Sequence, residues 1–154
     1  MKLELQKLTA KRLYPDAPEW FQEIMRESFG KDFFTKKDFR DIKTFEDACF
    51  ELGISESDVY TDQDSDDEVA YKKLKVIAKA INQGWVPDWD NTNQRKWWPW
   101  FKLASGFGFS GSDYDFAGTI TAVGSRLCFE SEEKSDYAAK QFSEIYEQLL
   151  TIKK

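Results

Sequence analysis

Trp97-Trp98-Pro99-Trp100-Phe101-Lys102-Leu103 sets four large rings and a proline in its first five positions. Aromatic side chains favour a pleated, half-buried surface, so the stretch reads as a β-strand. Pro99 has no amide to give to a ladder, which places the strand at a sheet edge or at a bulge. Alternation along a strand puts Trp98 and Trp100 on one face and Trp97 and Phe101 on the other. A sheet with one solvated face cannot bury both sets. Either the N-terminal part of the chain supplies a second cover, or some rings stay outside and form a binding surface.

The sequence downstream of this strand extends the sheet. Phe107-Gly108-Phe109 puts two rings on one face, and Gly111-Ser112-Asp113 has the composition of a turn or loop. Residues 119–123 and 125–129 are strand-prone, with Gly124 as a possible bulge between them. Along the second of these, Leu127 and Phe129 face one way and Arg126 and Cys128 the other. Ser131-Glu132-Glu133 then caps a final helix. Its apolar seam runs through Ala138, Phe142, Ile145, Leu149 and Ile152 at steps of four and three.

Upstream the pattern is helical. Leu5, Leu8 and Leu13 suggest a first helix. Asp16 ahead of Ala17-Pro18-Glu19 marks the start of a second, with proline in its first turn and Gly30 as its stop. Thr44-Phe45-Glu46-Asp47 is a capping box opening a helix with Phe45, Ala48, Cys49 and Leu52 on its buried stripe, and Gly53 closes it. A short turn is expected over 55–58. Ser65-Asp66-Asp67-Glu68 opens a longer helix to about Asn82, with Ala70, Leu74, Ile77 and Ile81 inward and its lysines towards the C-terminal end, where the helix dipole favours them. The predicted fold class is therefore α+β, in one domain spanning 1–154: helices over 1–84, then an antiparallel sheet of three to four strands packed by a long C-terminal helix over 85–154.

Composition limits the chemistry. The chain has 154 residues and a net charge of −6. An acidic balance opposes general nucleic-acid binding, which needs a surplus of Lys and Arg against phosphate. The Lys36, Lys37 and Arg40 cluster is broken by Asp38 and Asp41 and reads as a solvated face. The chain has no histidine, so Ser–His–Asp and Cys–His nucleophiles and HExxH zinc sites are impossible within it. Cys49 and Cys128 stand far apart in apolar patterns and read as buried free thiols of a reducing compartment. The N-terminus carries charges where a signal peptide needs an apolar run, so none is expected, and no stretch has the length and apolarity of a membrane span. A soluble, cytoplasmic protein is expected.

Few motifs carry chemistry. The acidic stretch Asp62-Gln63-Asp64-Ser65-Asp66-Asp67-Glu68 starts like a calcium loop, but Asp67 stands where that loop needs glycine and Lys73 where it needs glutamate. A solvated loop with a helix cap accounts for it better. Asp113 and Asp115 flank Tyr114 and are the remaining acid–base candidates, though turns ask for the same residues. Gly106-Phe107-Gly108 lacks the Gly-Lys-Ser/Thr of a phosphate loop. No catalytic residue, cofactor or metal is assigned. The candidate interaction surface is Trp97, Trp98, Trp100, Phe101, Tyr114 and Arg126.

A set of phrases distributed over most of the chain carries a resemblance: Thr44-Phe45-Glu46-Asp47-Ala48, Ala70-Tyr71-Lys72-Lys73-Leu74-Lys75-Val76-Ile77, Gly84-Trp85-Val86-Pro87-Asp88-Trp89, Gly124-Ser125-Arg126-Leu127-Cys128-Phe129 and Ala139-Lys140-Gln141-Phe142. Together they resemble an uncharacterised group of phage and prophage proteins from gut Bacteroidetes. That group has no assigned activity, so the resemblance implies context alone: a mobile-element origin, and a place in the bacterial host cytoplasm or the virion. Three expectations follow for function. One is a non-enzymatic accessory protein that binds a protein partner or itself. Another is a single-stranded nucleic-acid binder that stacks bases on the aromatic strand. The third is a module for a small ligand or carbohydrate.

Overall fold

The computed structural model describes residues 5–35, 38–104, 106–119 and 124–152. Its helices are α1 (Lys7–Leu13), α2 (Glu19–Phe29), α3 (Phe45–Leu52), α4 (Asp66–Asn82), α5 (Glu132–Gln141) and α6 (Ser143–Leu150). Its strands are β1 (Lys96–Lys102) and β2 (Gly108–Asp115). The fold is α+β. None of the described helices is long and apolar enough to cross a membrane.

The helix ends follow the residues that satisfy their free backbone groups. At α3 the Thr44 oxygen accepts the Asp47 amide at 3.0 Å while the Asp47 carboxylate accepts the Thr44 amide at 2.9 Å, the reciprocal pair of a capping box. At α4 the Glu68 carboxylate accepts the Ser65 amide at 2.8 Å. Asp16 does not cap α2. It belongs to a 3₁₀ turn, Tyr14–Asp16, and Pro18 takes the cap position, because the fixed proline φ sets the extended entry just ahead of Glu19. The turn expected over 55–58 is the 3₁₀ segment Glu56–Asp58.

β1 and β2 pair antiparallel, with Trp97 opposite Tyr114, Trp98 opposite Asp113 and Trp100 opposite Gly111. Phe101 then faces Phe109, so Ser110 is the extra residue of a bulge. Gly111-Ser112-Asp113 lies inside β2 and makes no turn. The Ser112 hydroxyl ties the strand to α5 by hydrogen bonds with Ser135 Oγ at 2.8 Å and Asp136 Oδ1 at 2.7 Å, which supplies the anchoring that a small polar residue lacks in a strand.

The sheet of the described residues has two strands, not three or four. In place of a strand over 125–129 there is a 3₁₀ turn, Ser125–Leu127, and then one bridging residue. Phe129 exchanges both backbone hydrogen bonds with Trp97, at 2.8 and 3.0 Å. Its neighbours turn away from β1, and a side chain receives them: Asn82, at the end of α4, donates Nδ2 to the Cys128 carbonyl at 2.8 Å and accepts the Glu130 amide at 3.1 Å. One amide side chain thus replaces the next strand. The other strand-prone stretch, 119–123, lies outside the described residues from 120 onward.

Trp97 sends its backbone groups to Phe129, away from β2. Two positions on, Pro99 points the same way, so its missing amide costs β1 no bond to β2. The C-terminal helix is not continuous. Phe142 leaves helical geometry at φ −112°, ψ 28° and divides α5 from α6, and Ile152 at the far end of the expected seam is 93 % exposed.

One buried cluster joins the two parts of the chain. Phe45, Ala48 and Cys49 of α3 and Leu74, Ile77 and Ile81 of α4 pack with Leu127, Phe129, Ala138, Phe142 and Tyr146. Both cysteines are free and buried. Burial raises each thiol to about 11; at Cys49 the carboxylates of Glu56 and Glu46 add to the effect.

Candidate binding surface

The four rings of β1 have unequal fates. Trp97 is half-buried against the core, with Tyr114 at 4.8 Å on one side. Phe101 on the same face is covered by Phe107, stacked at 4.9 Å, and by Tyr146 of α6 at 4.8 Å. On the opposite face Trp98 is buried. Its indole N–H reaches the Gly124 carbonyl at 3.4 Å, and Trp89, from the connection before β1, stands 6.3 Å away. Trp100 alone is left outside, 54 % exposed. The fold therefore supplies covers for both faces, and the second cover stops one residue pair short.

Trp100 opens onto a cavity of about 420 Å³ beside β1. Trp98, Leu103, Leu127, Leu149 and Leu150 give it an apolar lining, and Asp113 and Asp115 of β2 stand at its polar side. Tyr146 also lines it. That phenol makes no hydrogen bond among the described residues although the residue is only 4 % exposed. Its side chain reaches the cavity wall from α6. Burial pushes the Tyr146 hydroxyl far above the ordinary phenol range, which keeps it a neutral donor.

The acid–base candidates accept amides of the residues that follow them. Both aspartates lie on the Trp98 face, opposite Trp98 and Lys96. Asp115 Oδ1 accepts the Phe116 amide at 2.5 Å and the Ala117 amide at 3.2 Å, and these bonds, more than Lys96, hold its carboxyl below the usual range. Asp113 accepts the amide of Tyr114. Tyr114, 39 % exposed, is held by Trp97, by Phe116 at 5.4 Å and by the Arg95 guanidinium at 4.5 Å over its ring. In the acidic loop Asp64 is engaged by Lys72 Nζ at 2.6 Å and by the Thr61 amide at 2.8 Å, so it acts as a local clasp.

Arg126 does not join the aromatic strand. It is exposed and lines a separate cleft with Cys128, while Leu127 between them lines the apolar cavity. The two sides expected over 125–129 are kept although the backbone is a turn.

Lys96 is the feature that sequence reasoning missed. It is fully buried; its Nζ donates to the Phe116 carbonyl at 2.7 Å and the Asn91 carbonyl at 3.1 Å, with the Trp89 ring 5.2 Å away. A lysine one residue before a Trp pair looks like the solvated end of a strand, and nothing in its neighbours' spacing marks it as an internal tie. No protein-family model, curated protein or solved structure matches the chain.

Proposed function

We propose that this is a non-enzymatic binding protein, an accessory protein of phage type, that takes an apolar anchor of a protein partner into the cavity beside Trp100. The observation that supports it most is the exposed indole over an apolar cavity whose buried Tyr146 hydroxyl makes no hydrogen bond among the described residues. Buried, desolvated pockets around an aromatic residue are where binding energy concentrates in interfaces. Asp113 and Asp115 set the charge of the rim, so the complementary segment carries a Lys or Arg next to its anchor. Pro99 blunts the edge of β1, which favours side-chain docking over addition of a strand. The same two carboxylates repel phosphate and count against stacking a nucleic-acid strand on these rings.

The test is selection from a random peptide library by the full chain, followed by titration. Peptides with an apolar anchor beside a basic residue are expected, and Trp100→Ala weakens them by at least about tenfold, the scale of one interface anchor. Selection of acidic peptides, or of peptides indifferent to Trp100→Ala, would sink the proposal. Trp100 with Asp113 is also the equipment of a sugar site; glycans that quench tryptophan fluorescence where no peptide binds would favour that reading.

A further inference from the structure

Six cations among the described residues are tied to carboxylates: Lys11 to Glu51, Arg26 to Glu19, Arg40 to Asp38, Lys72 to Asp64, Lys134 to Glu130 and Lys140 to Asp136. Elsewhere, unpaired cations converge on one cleft. A cleft of about 450 Å³ between the last turns of α4, the 85–89 connection and the Ser125–Leu127 turn is lined by Lys75, Lys79 and Arg126, and no carboxylate lines it. Lys79 and Arg126 make no ion pair, hydrogen bond or ring contact among the described residues, and Lys75 leans on the Tyr71 ring at 5.2 Å.

The helix dipole accounts for a lysine in the last turn of α4, but not for Arg126, which arrives from another element. Two indoles share the cleft. Trp89 is held by Lys96 and Trp98, whereas Trp85 is half-buried and packs against no ring or cation among the described residues. Asn82, which bears on both carbonyl and amide of the 128–130 backbone, forms part of the wall and fixes the turn that carries Arg126.

From this we infer a second site, for a nucleoside phosphate: the phosphate against Lys79 and Arg126, and the base against the Trp85 indole. Arg and Lys give the charge-assisted hydrogen bonds that phosphate oxygens accept, and an aromatic face stacks any base. The volume lies within the range of small-molecule pockets, about 300–1,000 Å³. A nucleoside phosphate can come free or as one unit of a strand. The net charge of −6 opposes a long polyanion, so the free nucleotide is the ligand assigned.

Isothermal titration of the full chain with adenosine 5′-monophosphate tests this. Saturable binding is expected, with adenosine and inorganic phosphate each weaker than the nucleotide. Arg126→Ala and Lys79→Ala each lower affinity about tenfold, as loss of one charge-assisted contact does. Both side chains are exposed, so the variants should fold, and melting curves that match the parent check it. Trp85→Ala weakens the nucleotide but leaves inorganic phosphate unchanged, whereas Trp85→Phe keeps both. No heat at millimolar nucleotide, equal affinity for phosphate alone, or binding indifferent to both charge deletions overturns the site. A short oligothymidylate that binds more tightly than the mononucleotide overturns the free-nucleotide assignment.

Discussion

Single residues fix several local geometries, and each has a measurable consequence. Gly53 ends α3 in the left-handed region at φ +66°, and a Cβ there would stand 2.8 Å from the backbone nitrogen of Arg12. Gly53→Ala therefore costs at least about 1–2 kcal/mol in urea unfolding, since left-handed strain and a backbone clash add. The thiols give a pH signature. Cys49 and Cys128 sit at about 11 in the folded chain against about 8.5 in the unfolded one. Their folded values are raised, so their stabilising effect is whole below about pH 8.5 and is lost as pH climbs towards 11. The melting temperature should fall over that window more steeply than in the Cys49→Ala/Cys128→Ala protein; equal slopes would show the thiols to be irrelevant. Tyr146→Phe removes no hydrogen bond among the described residues and should change stability by less than about 0.5 kcal/mol.

At the scale of elements, legibility depended on whether the signal was local. The capping boxes of α3 and α4, the Gly30 and Gly53 stops and the Trp-rich strand are written in neighbouring residues, and the structure has them where spacing puts them. The break at Phe142 is not written there, because the seam through Ala138, Phe142 and Ile145 keeps its period across it. The bridge at Phe129 depends on Asn82, far away in sequence. Asn82→Ala strands the Cys128 carbonyl and the Glu130 amide and should cost about 2–3 kcal/mol, two hydrogen bonds with a buried group left unpaired. Asn82→Asp keeps the acceptor for Glu130 and loses the donor, so part of the loss should remain. Similar losses for Ala and Asp would mean that the acceptor half contributes nothing.

For the molecule as a whole, the shared core should make the helical and sheet parts melt together. Leu127 and Phe129 pack among α3, α4, α5 and α6 side chains, so a fragment of residues 85–154 loses its packing against α3 and α4. It should show no cooperative thermal transition by circular dichroism, while the full chain melts in a single step. A melting fragment would reveal two independent units. The candidate surface was half legible at this scale. The sequence posed the choice between covered and bare rings, but which ring is bare depends on where the 85–95 connection and α6 stop, and that is tertiary. Arg126 and Lys79, far apart in the chain, share a cleft for the same reason.

The Asn82 clasp also bears on how the protein can change. The chain departs from α4 at Asn82 and returns beside it at Glu130, so everything between is an excursion whose two ends are held by one side chain. The entropy of closing such a loop grows slowly, about 0.6 kcal/mol for each doubling of length. Its inner end, 127–129, is fixed by the core, and Phe107 after β1 is tied to it as well, while Leu103 is exposed. Insertions beside Leu103 would reshape the mouth of the cavity at little cost in loop entropy and leave the core cluster as it is.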